Sequence, residues 1–432
     1  MEEAATGQAV TWRAAEMHAP WQIPFYFGIL TMALGLGRTD ALGLAQLPIQ
    51  HFLQNRFHLD AVGMATFGFL ASIPYYASFL FGYLRDRWQP FRMGDRGYLL
   101  LATPIAVGGY LWLARSALTY ERMLGIVLLT AFAFQFLFAG TQGMLAMVGQ
   151  RRQMTGRLGA MWMFAAALPG TVAGLGGGWL AAHVSMQGTF AVLAGITTAL
   201  LVPVFWRPAA VFSGEAPARV PGGETGLMAL RRLARHRPYW LAAGVLLCWN
   251  LVPGWFTPLY VFLSTKVKMQ PEQIGLFNAL MAGFNGVAII GYSFLCRRVP
   301  LRPLLWIGTV FGIIPEFLLM IMRTPGMAIG LGVLIGLLNG IPNAAFMDLL
   351  LRCCPRKLEG TGTALILSIA VVGVAVSDLF GAWLYQHGGY ILAFGVSGLC
   401  TSGAFLFLPF LPRHLIARRD GEDASALEGT AA

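Results

Sequence analysis

Apolar runs of roughly 20 residues recur along the chain, separated by short polar or basic segments. Each run is long enough for a helix to cross the hydrocarbon core of a bilayer. The pattern predicts helices over 23–53, 61–84, 97–115, 123–149, 157–183 and 188–206. After a polar stretch it predicts six more, over 238–264, 271–296, 302–322, 327–351, 360–386 and 389–411. The expected fold class is an all-α membrane protein of about twelve transmembrane helices in two pseudo-symmetric six-helix bundles. The expected organisation is a bundle over 1–206, a linker over 207–237, a second bundle over 238–412 and a tail over 413–432.

The two halves repeat each other in register. In the first predicted helix Asp40 precedes Pro48-Ile49 and Phe52-Leu53; in the seventh, Asn250 precedes Pro258-Leu259 and Phe262-Leu263. All these pairs share an offset of 210. Gly82-Tyr83 before Arg85 and Arg87 is matched by Gly291-Tyr292 before Arg297-Arg298. Gly177-Gly178-Trp179-Leu180 leading to His183 is matched, at an offset of 204, by Gly381-Ala382-Trp383-Leu384 leading to His387. A duplicated six-helix unit accounts for these matches, as in transporters whose site lies between repeats near the bilayer midplane.

Composition supports the membrane reading. Only 11% of the residues are charged and 57% are hydrophobic, whereas a soluble domain carries roughly 25% charged residues. The net charge of +11 raises the question of nucleic acid, but the placement of the charges answers it. Of 30 basic residues, 23 fall on one side of the predicted helices and six on the other, with Arg38 inside the first helix. Basic loops stay cytoplasmic. Both termini and the linker are therefore expected inside, in an inner (plasma) membrane protein whose basic surface faces anionic lipid. The second part of the linker, Leu227–Arg235, reads either as an amphipathic segment on the inner leaflet or as an ordinary basic linker. Residues 1–20 lack the features of a cleaved signal. The five cysteines, Cys248, Cys296, Cys353, Cys354 and Cys400, form no C-x-x-C and read as reduced structural thiols. No cofactor or metal spacing is present.

After the second helix the chain reads Gly82-Tyr83-Leu84-Arg85-Asp86-Arg87, then Pro90, Gly94, Arg96 and Tyr98. This loop resembles that of the major facilitator superfamily, G-x-x-x-D-[RK]. Its longer spacing is similar to the folate–biopterin transporter branch, as are Pro355, Glu359-Gly360-Thr361, Ala364-Leu365, Ser368 and Ser377-Asp378. Arg96 stands alone where that branch has an arginine pair, and the second half has no acid equivalent to Asp86. The resemblance implies a cytoplasmic gate built on Asp86 and Arg87. A carboxylate there can cap a neighbouring helix or pair with Arg151 or Arg152; the alternative is a solvated loop that only sets topology.

Ionisable groups inside a membrane are costly and usually functional. Arg38 and Asp40 are the clearest. Asp40 stands about 12 residues after the start of the apolar run near Gly28 and Asn250 about 12 after Pro238, so both lie roughly 18 Å deep. Being two apart, Arg38 and Asp40 would not face each other on an ideal helix, although Gly35, Gly37 and Gly43 permit distortion. Asp40 is a candidate proton carrier and Arg38 a candidate anion clamp; a structural pair is the alternative. Trp249 and Trp255 are candidate stacking surfaces, and Asn250 and Asn285 candidate hydrogen-bonding groups. Asp378 reads equally as site or structure, beside a small-residue stripe of Gly373, Ser377 and Gly381 that suits helix packing. Glu316, next to Pro315, reads as structural, because the resemblance places its helix at the periphery. Asp348 and Arg352 are spaced for a local pair, and His183 and His387 for a scaffold.

No G-x-x-x-x-G-K-[ST] occurs, which excludes a P-loop ATPase in this chain. The leading expectation is a monomeric secondary transporter of a small organic solute, coupled to protons. Folate or a pterin is one candidate solute, with Asp40 accepting the pterin edge and Arg38 a folate carboxylate; a sugar, peptide or drug is the other. A non-transporting assembly or scaffold protein is the competing class, and an intramembrane enzyme has no paired catalytic groups to support it.

Overall fold

A computed structural model of the chain describes residues 22–40, 43–88, 90–151, 155–206, 235–353 and 359–417. Among the described residues every regular element is helical. The first crossing is divided into α1 (Gln22–Gly37) and α2 (Gln46–Arg56). The second comprises α3 (Ala61–Ala71), α4 (Ile73–Tyr76) and α5 (Ser78–Arg87). The third to fifth are α6 (Arg96–Arg115), α7 (Tyr120–Arg151) and α8 (Thr155–His183); the sixth is α9 (Met186–Thr198), continued into α10 (Val202–Phe205). The seventh is divided again, into α11 (Arg237–Asn250) and α12 (Phe256–Thr265). The eighth to tenth are α13 (Pro271–Leu295), α14 (Leu301–Met320) and α15 (Pro325–Cys353). The eleventh and twelfth share one long element, α16 (Glu359–Ser402), which turns at Gly389 with φ 72°. That positive φ suits a glycine, and the sequence boundary between 386 and 389 falls on it. The twelfth ends in α17 (Ala404–Phe407), and α18 (Arg413–Ile416) follows.

The outward surface is apolar. Phe205 is 72% exposed and Leu399 and Leu406 are each 71% exposed. Such side chains would be rejected by water and are accepted by lipid tails. Among the described residues seven segments are long and apolar enough to cross a membrane, and one of them, Ser368–Phe410, includes the Gly389 turn and is long enough to cross twice. The shorter apolar helices are Phe25–Gly37, Ala61–Ala71 and Phe256–Thr265, all of them pieces of divided crossings. The chain is a multi-pass, all-α membrane protein of twelve crossings in two bundles of six.

Among the described residues the bundles meet unevenly. One core joins Leu30, Tyr110 and Phe134 of the first half to Phe262, Phe277 and Phe394 of the second. A separate core, with Tyr239, Leu304 and Leu349, belongs to the second half alone. The second-half members of the shared core lie towards the ends of their helices remote from the basic loops, which we call the outer end by the charge rule. There α8 and α13 touch backbone to backbone: a Cβ on Gly174 would fall 2.6 Å from the amide nitrogen of Ala279, and one on Gly178 2.8 Å from the carbonyl oxygen of Pro271. Small residues permit this approach between helices in lipid. On the other flank Ser78 of α5 bonds Ser368 of α16 across 2.7 Å.

Candidate functional site

The crossings expected to be continuous over 23–53 and 238–264 are both broken. The gaps lie between Gly37 and Gln46 and between Asn250 and Phe256. Hydropathy misses them because the gap residues are themselves mostly apolar or small. Beyond each gap the two halves repeat at an offset of 210. The amide of Leu59 donates to the Leu53 carbonyl at 3.2 Å, and that of Met269 to the Leu263 carbonyl at 2.9 Å. The residue before each donor has a positive φ, 50° at His58 and 59° at Lys268. Asp60 and Gln270 then cap the next helices. Gln54 Nε2 donates to Ser264 Oγ at 3.3 Å. These two are also 210 apart, so their contact marks the pseudo-twofold axis between the halves.

The first gap holds an ion pair. The α-helix ends at Gly37, whose carbonyl accepts from Tyr110 of α6 at 2.6 Å. The chain then leaves the helix, and the Arg38 guanidinium closes directly on the Asp40 carboxylate. On an ideal helix these residues would not face each other; here the chain has left the helix, and they do. Gly43 packs against the Arg38 carbonyl, where a Cβ would overlap it. The guanidinium lies 5.1 Å from the Tyr75 ring centroid and 4.8 Å from that of Phe138, a cation–π arrangement that favours the charged form in a dry setting. Arg38 Nε, Asp40 Oδ1 and the Tyr75 hydroxyl are buried with no partner.

The second gap is fastened from outside its own helix. The Gly254 amide donates to Ser397 Oγ at 2.5 Å. The Trp255 indole N–H donates to Glu316 Oε1 at 2.6 Å. The Thr257 amide and hydroxyl donate to the two Asp378 oxygens at 2.9 and 2.8 Å. Asp378 thus sits at the N-terminus of α12, where free N–H groups and the helix dipole favour an anion. Phe256 has φ 45°, an uncommon conformation for a bulky residue and one that gathers at functional sites. Gly381 packs on the Pro253 carbonyl, while Gly177, its repeat partner, packs on the Leu44 carbonyl of the first gap. The small-residue stripe therefore serves the gaps.

Between the halves lies a cavity of about 160 Å³ bordered by α2, α8, α12 and α13. Among the described residues its polar lining is Gln46, Gln50 and Asn278, its aromatic lining is Trp255, Phe256 and Tyr260, and no charged side chain borders it. A second, more open pocket at the outer end, about 510 Å³, is bordered by Gln54, Asp60, Lys266 and Tyr385.

The sequence candidates separate. Arg38 and Asp40 come together beside the cavity's first-half wall. Trp249 lies elsewhere: its indole donates to Asn343 at 2.8 Å and its ring presses on Gly312. It packs against residues of the second bundle, Gly312, Asn343 and Phe346, and does not line this cavity. Asn250 donates to the Leu246 carbonyl of its own helix at 2.8 Å. The Asn285 backbone carbonyl abuts Gly340 of α15. Asp378 is engaged by Thr257. Of the gate candidates, Arg152 and the side chains of Asp86, Arg87 and Arg151 lie outside the described residues, as does Leu227–Ala234. In that loop Arg85 pairs with Asp95 at 2.7 Å. Asp348 and Arg352 pair at 2.8 Å, with Tyr292 donating to Asp348 at 3.0 Å. His183 and His387 each stack on the tryptophan four residues earlier, at 5.3 and 4.6 Å. Cys248, Cys296, Cys353 and Cys400 form no disulfide, and no described group of three or more histidine, cysteine or acidic side chains is placed to hold a metal ion.

Sequence reasoning missed Gln46, Gln50 and Asn278 as lining groups and placed Glu316 at the periphery. Glu316 is 1% exposed and bonded to a cavity residue. The signal available was the repeat: offset by 210, Gln46 and Gln50 fall on Phe256 and Tyr260, so the two walls face each other.

Residues 254–428 match the sequence model of the Major Facilitator Superfamily. A comparison with curated proteins finds no match. Among solved structures the chain is similar to a D-xylose–proton symporter, with TM-score 0.68 and 14% identity over 93% of this chain and 100% of that one. It is similar to the nucleoside transporter NupG, with TM-score 0.67 and 13% identity over 90% and 100%. It is also similar to a POT family transporter crystallised with a thioalcohol-conjugated peptide, with TM-score 0.69 and 11% identity over 89% and 96%. At these identities the likeness speaks for the fold. The chain has the fold of these transporters, and within its second half residues 254–428 carry the sequence pattern of the Major Facilitator Superfamily.

Proposed function

We propose that the chain is a secondary transporter that moves a small organic solute by alternating access, with protons as the coupling ion. The observation that carries this reading is the cavity between the halves, walled by the outer pieces of two broken helices. Broken helices at a repeat interface expose backbone and side-chain polar groups where a solute can meet them. The halves share a core at the outer end, so the cavity belongs to a state closed on that side. Rocking about the α8–α13 contact would reopen it.

The lining favours an uncharged solute with hydrogen-bonding groups and a flat or apolar face. Three amide side chains both donate and accept, and Trp255 and Tyr260 offer ring faces. A charged solute would have to reach Arg38. A pterin or folate remains the alternative that the sequence resemblance suggests. We place the protein in the inner membrane, as a monomer with both termini cytoplasmic, on the distribution of basic residues.

The test is uptake into proteoliposomes under an imposed pH gradient, with labelled D-xylose, uridine, dialanine and folate as separate probes. At least one is expected to accumulate above equilibrium, and Gln50→Leu is expected to abolish that uptake without lowering the unfolding temperature. Wild-type protein, folded and correctly inserted, that moves none of them would favour the scaffold reading.

A further inference from the structure

Three acids lie within the described membrane crossings near the two gaps, and their surroundings differ. Asp40 has a guanidinium against it. Asp378 accepts two hydrogen bonds from Thr257 at the start of α12. Asp40 thus faces a cation and Asp378 a helix N-terminus, although Asp40 Oδ1 has no partner of its own. Glu316 has neither a cation nor a helix end. Its side chain is buried, one oxygen accepts a single neutral N–H from Trp255, and the other has no partner. No arginine, lysine or histidine among the described residues is ion-paired with it.

The elements around Glu316 offer no hidden compensation. The twelfth crossing brings Gly398, with its Cβ position 3.5 Å from the Glu316 Cβ, and the thiol of Cys400. The seventh brings Trp255 and, beside Cys400, the thiol of Cys248. The charged residues of the adjacent tenth crossing, Asp348 and Arg352, satisfy each other at its opposite end. Asp378 of the eleventh crossing is bonded to Thr257. A carboxylate left alone in such a place costs several kcal/mol, and protonation removes the charge. The connection to the cavity is direct, since the indole that Glu316 holds is part of the cavity wall.

We propose that Glu316, rather than Asp40, carries the coupling proton, and that Trp255 links its protonation to the cavity. The proposal rests on the transporter reading given above. When the interface opens, the Glu316 carboxyl releases its proton to water on the accessible side. The carboxylate that remains grips the Trp255 N–H through a charge-assisted bond, stronger than the neutral one. Reprotonation loosens that grip. A solute packed on the indole then binds differently to the two forms, and by linkage the proton binds differently with and without solute.

The carboxyl itself can be followed without knowing the solute. Infrared difference spectra of purified protein in lipid nanodiscs are recorded between acidic and alkaline buffer. A protonated-carboxyl C=O band is expected to appear at acid pH and vanish at alkaline pH, and Glu316→Gln is expected to remove it. Trp255→Phe leaves the acid in place and is expected to shift the frequency of that band, because its acceptor oxygen loses its donor. The same variants are then assayed for gradient-driven accumulation of whichever of the four probes the wild type takes up. Glu316→Gln is expected to lose accumulation and retain exchange. A band unchanged in Glu316→Gln, unaffected by Trp255→Phe, or constant across the pH range in which the protein stays folded would overturn the proposal. These infrared results stand even if none of the probes is transported, so failure of the proton site and failure of the transporter reading are separable.

Discussion

Arg38 and Asp40 were legible in the sequence as costly residues, and the structure adds that each is the other's partner. Their side chains are 18% and 15% exposed, so the pair is sheltered but not sealed. Removing one member of a sheltered pair leaves an uncompensated charge. Arg38→Ala is expected to cost about 3 kcal/mol of stability, read as a lowered unfolding temperature in detergent. Arg38→Met combined with Asp40→Leu is expected to lose far less, since no lone charge remains. A double variant as unstable as Arg38→Ala would point instead to lost cation–π packing against Tyr75 and Phe138. What the sequence withheld was partnership across the fold. Nothing in a chain of letters places Trp249 against Gly312 or Trp255 against Glu316, and the two tryptophans, six residues apart, have unrelated surroundings.

At the scale of the element, hydrophobic run length marks where a crossing begins and ends but is blind to a break inside it. The run from Ile23 to Leu53 stays apolar enough to read as one helix. The break is set by local sterics, Gly43 against the Arg38 carbonyl, and by a hydroxyl from another helix, Tyr110 on Gly37. The seventh crossing shows the same dependence. Gly381→Ala would drive a methyl group into the Pro253 carbonyl and is expected to cost about 3 kcal/mol or more, because neither backbone can yield. Gly291→Ala, at a position with no atom within 4 Å of the added carbon, is expected to be neutral or slightly stabilising. Thermal unfolding of the two single variants in parallel provides the comparison. The repeat itself was legible because duplication preserved residue types at a fixed spacing. It extends further in the backbone than in the letters, to the matched positive φ at His58 and Lys268.

For the whole molecule, the distribution of basic residues and the count of crossings support a sidedness that labelling can check. Single cysteines at Ser213 and Thr119, in a cysteine-free background, are expected to react with an impermeant maleimide from opposite faces. Labelling of both from outside would reverse the topology. Closure of the outer end can be tested at the pseudo-twofold axis. Cysteines replacing Gln54 and Ser264 are expected to cross-link on oxidation, hold the halves together after protease cleavage in the 207–237 linker, and stop uptake until reduced. Failure to cross-link would mean that the outer-closed state is rarely visited. Among the described residues the gap in the first half is held by the Arg38–Asp40 pair, the Tyr110 hydroxyl and packing against Tyr75, Phe138 and Gly177. The gap in the second half is bolted to the ninth, eleventh and twelfth crossings. On the alternating-access proposal, the second half, with its three fastenings, is the frame and the outer piece of the first crossing the lever, so deuterium is expected to enter the amides around Gly43 well before those around Gly254.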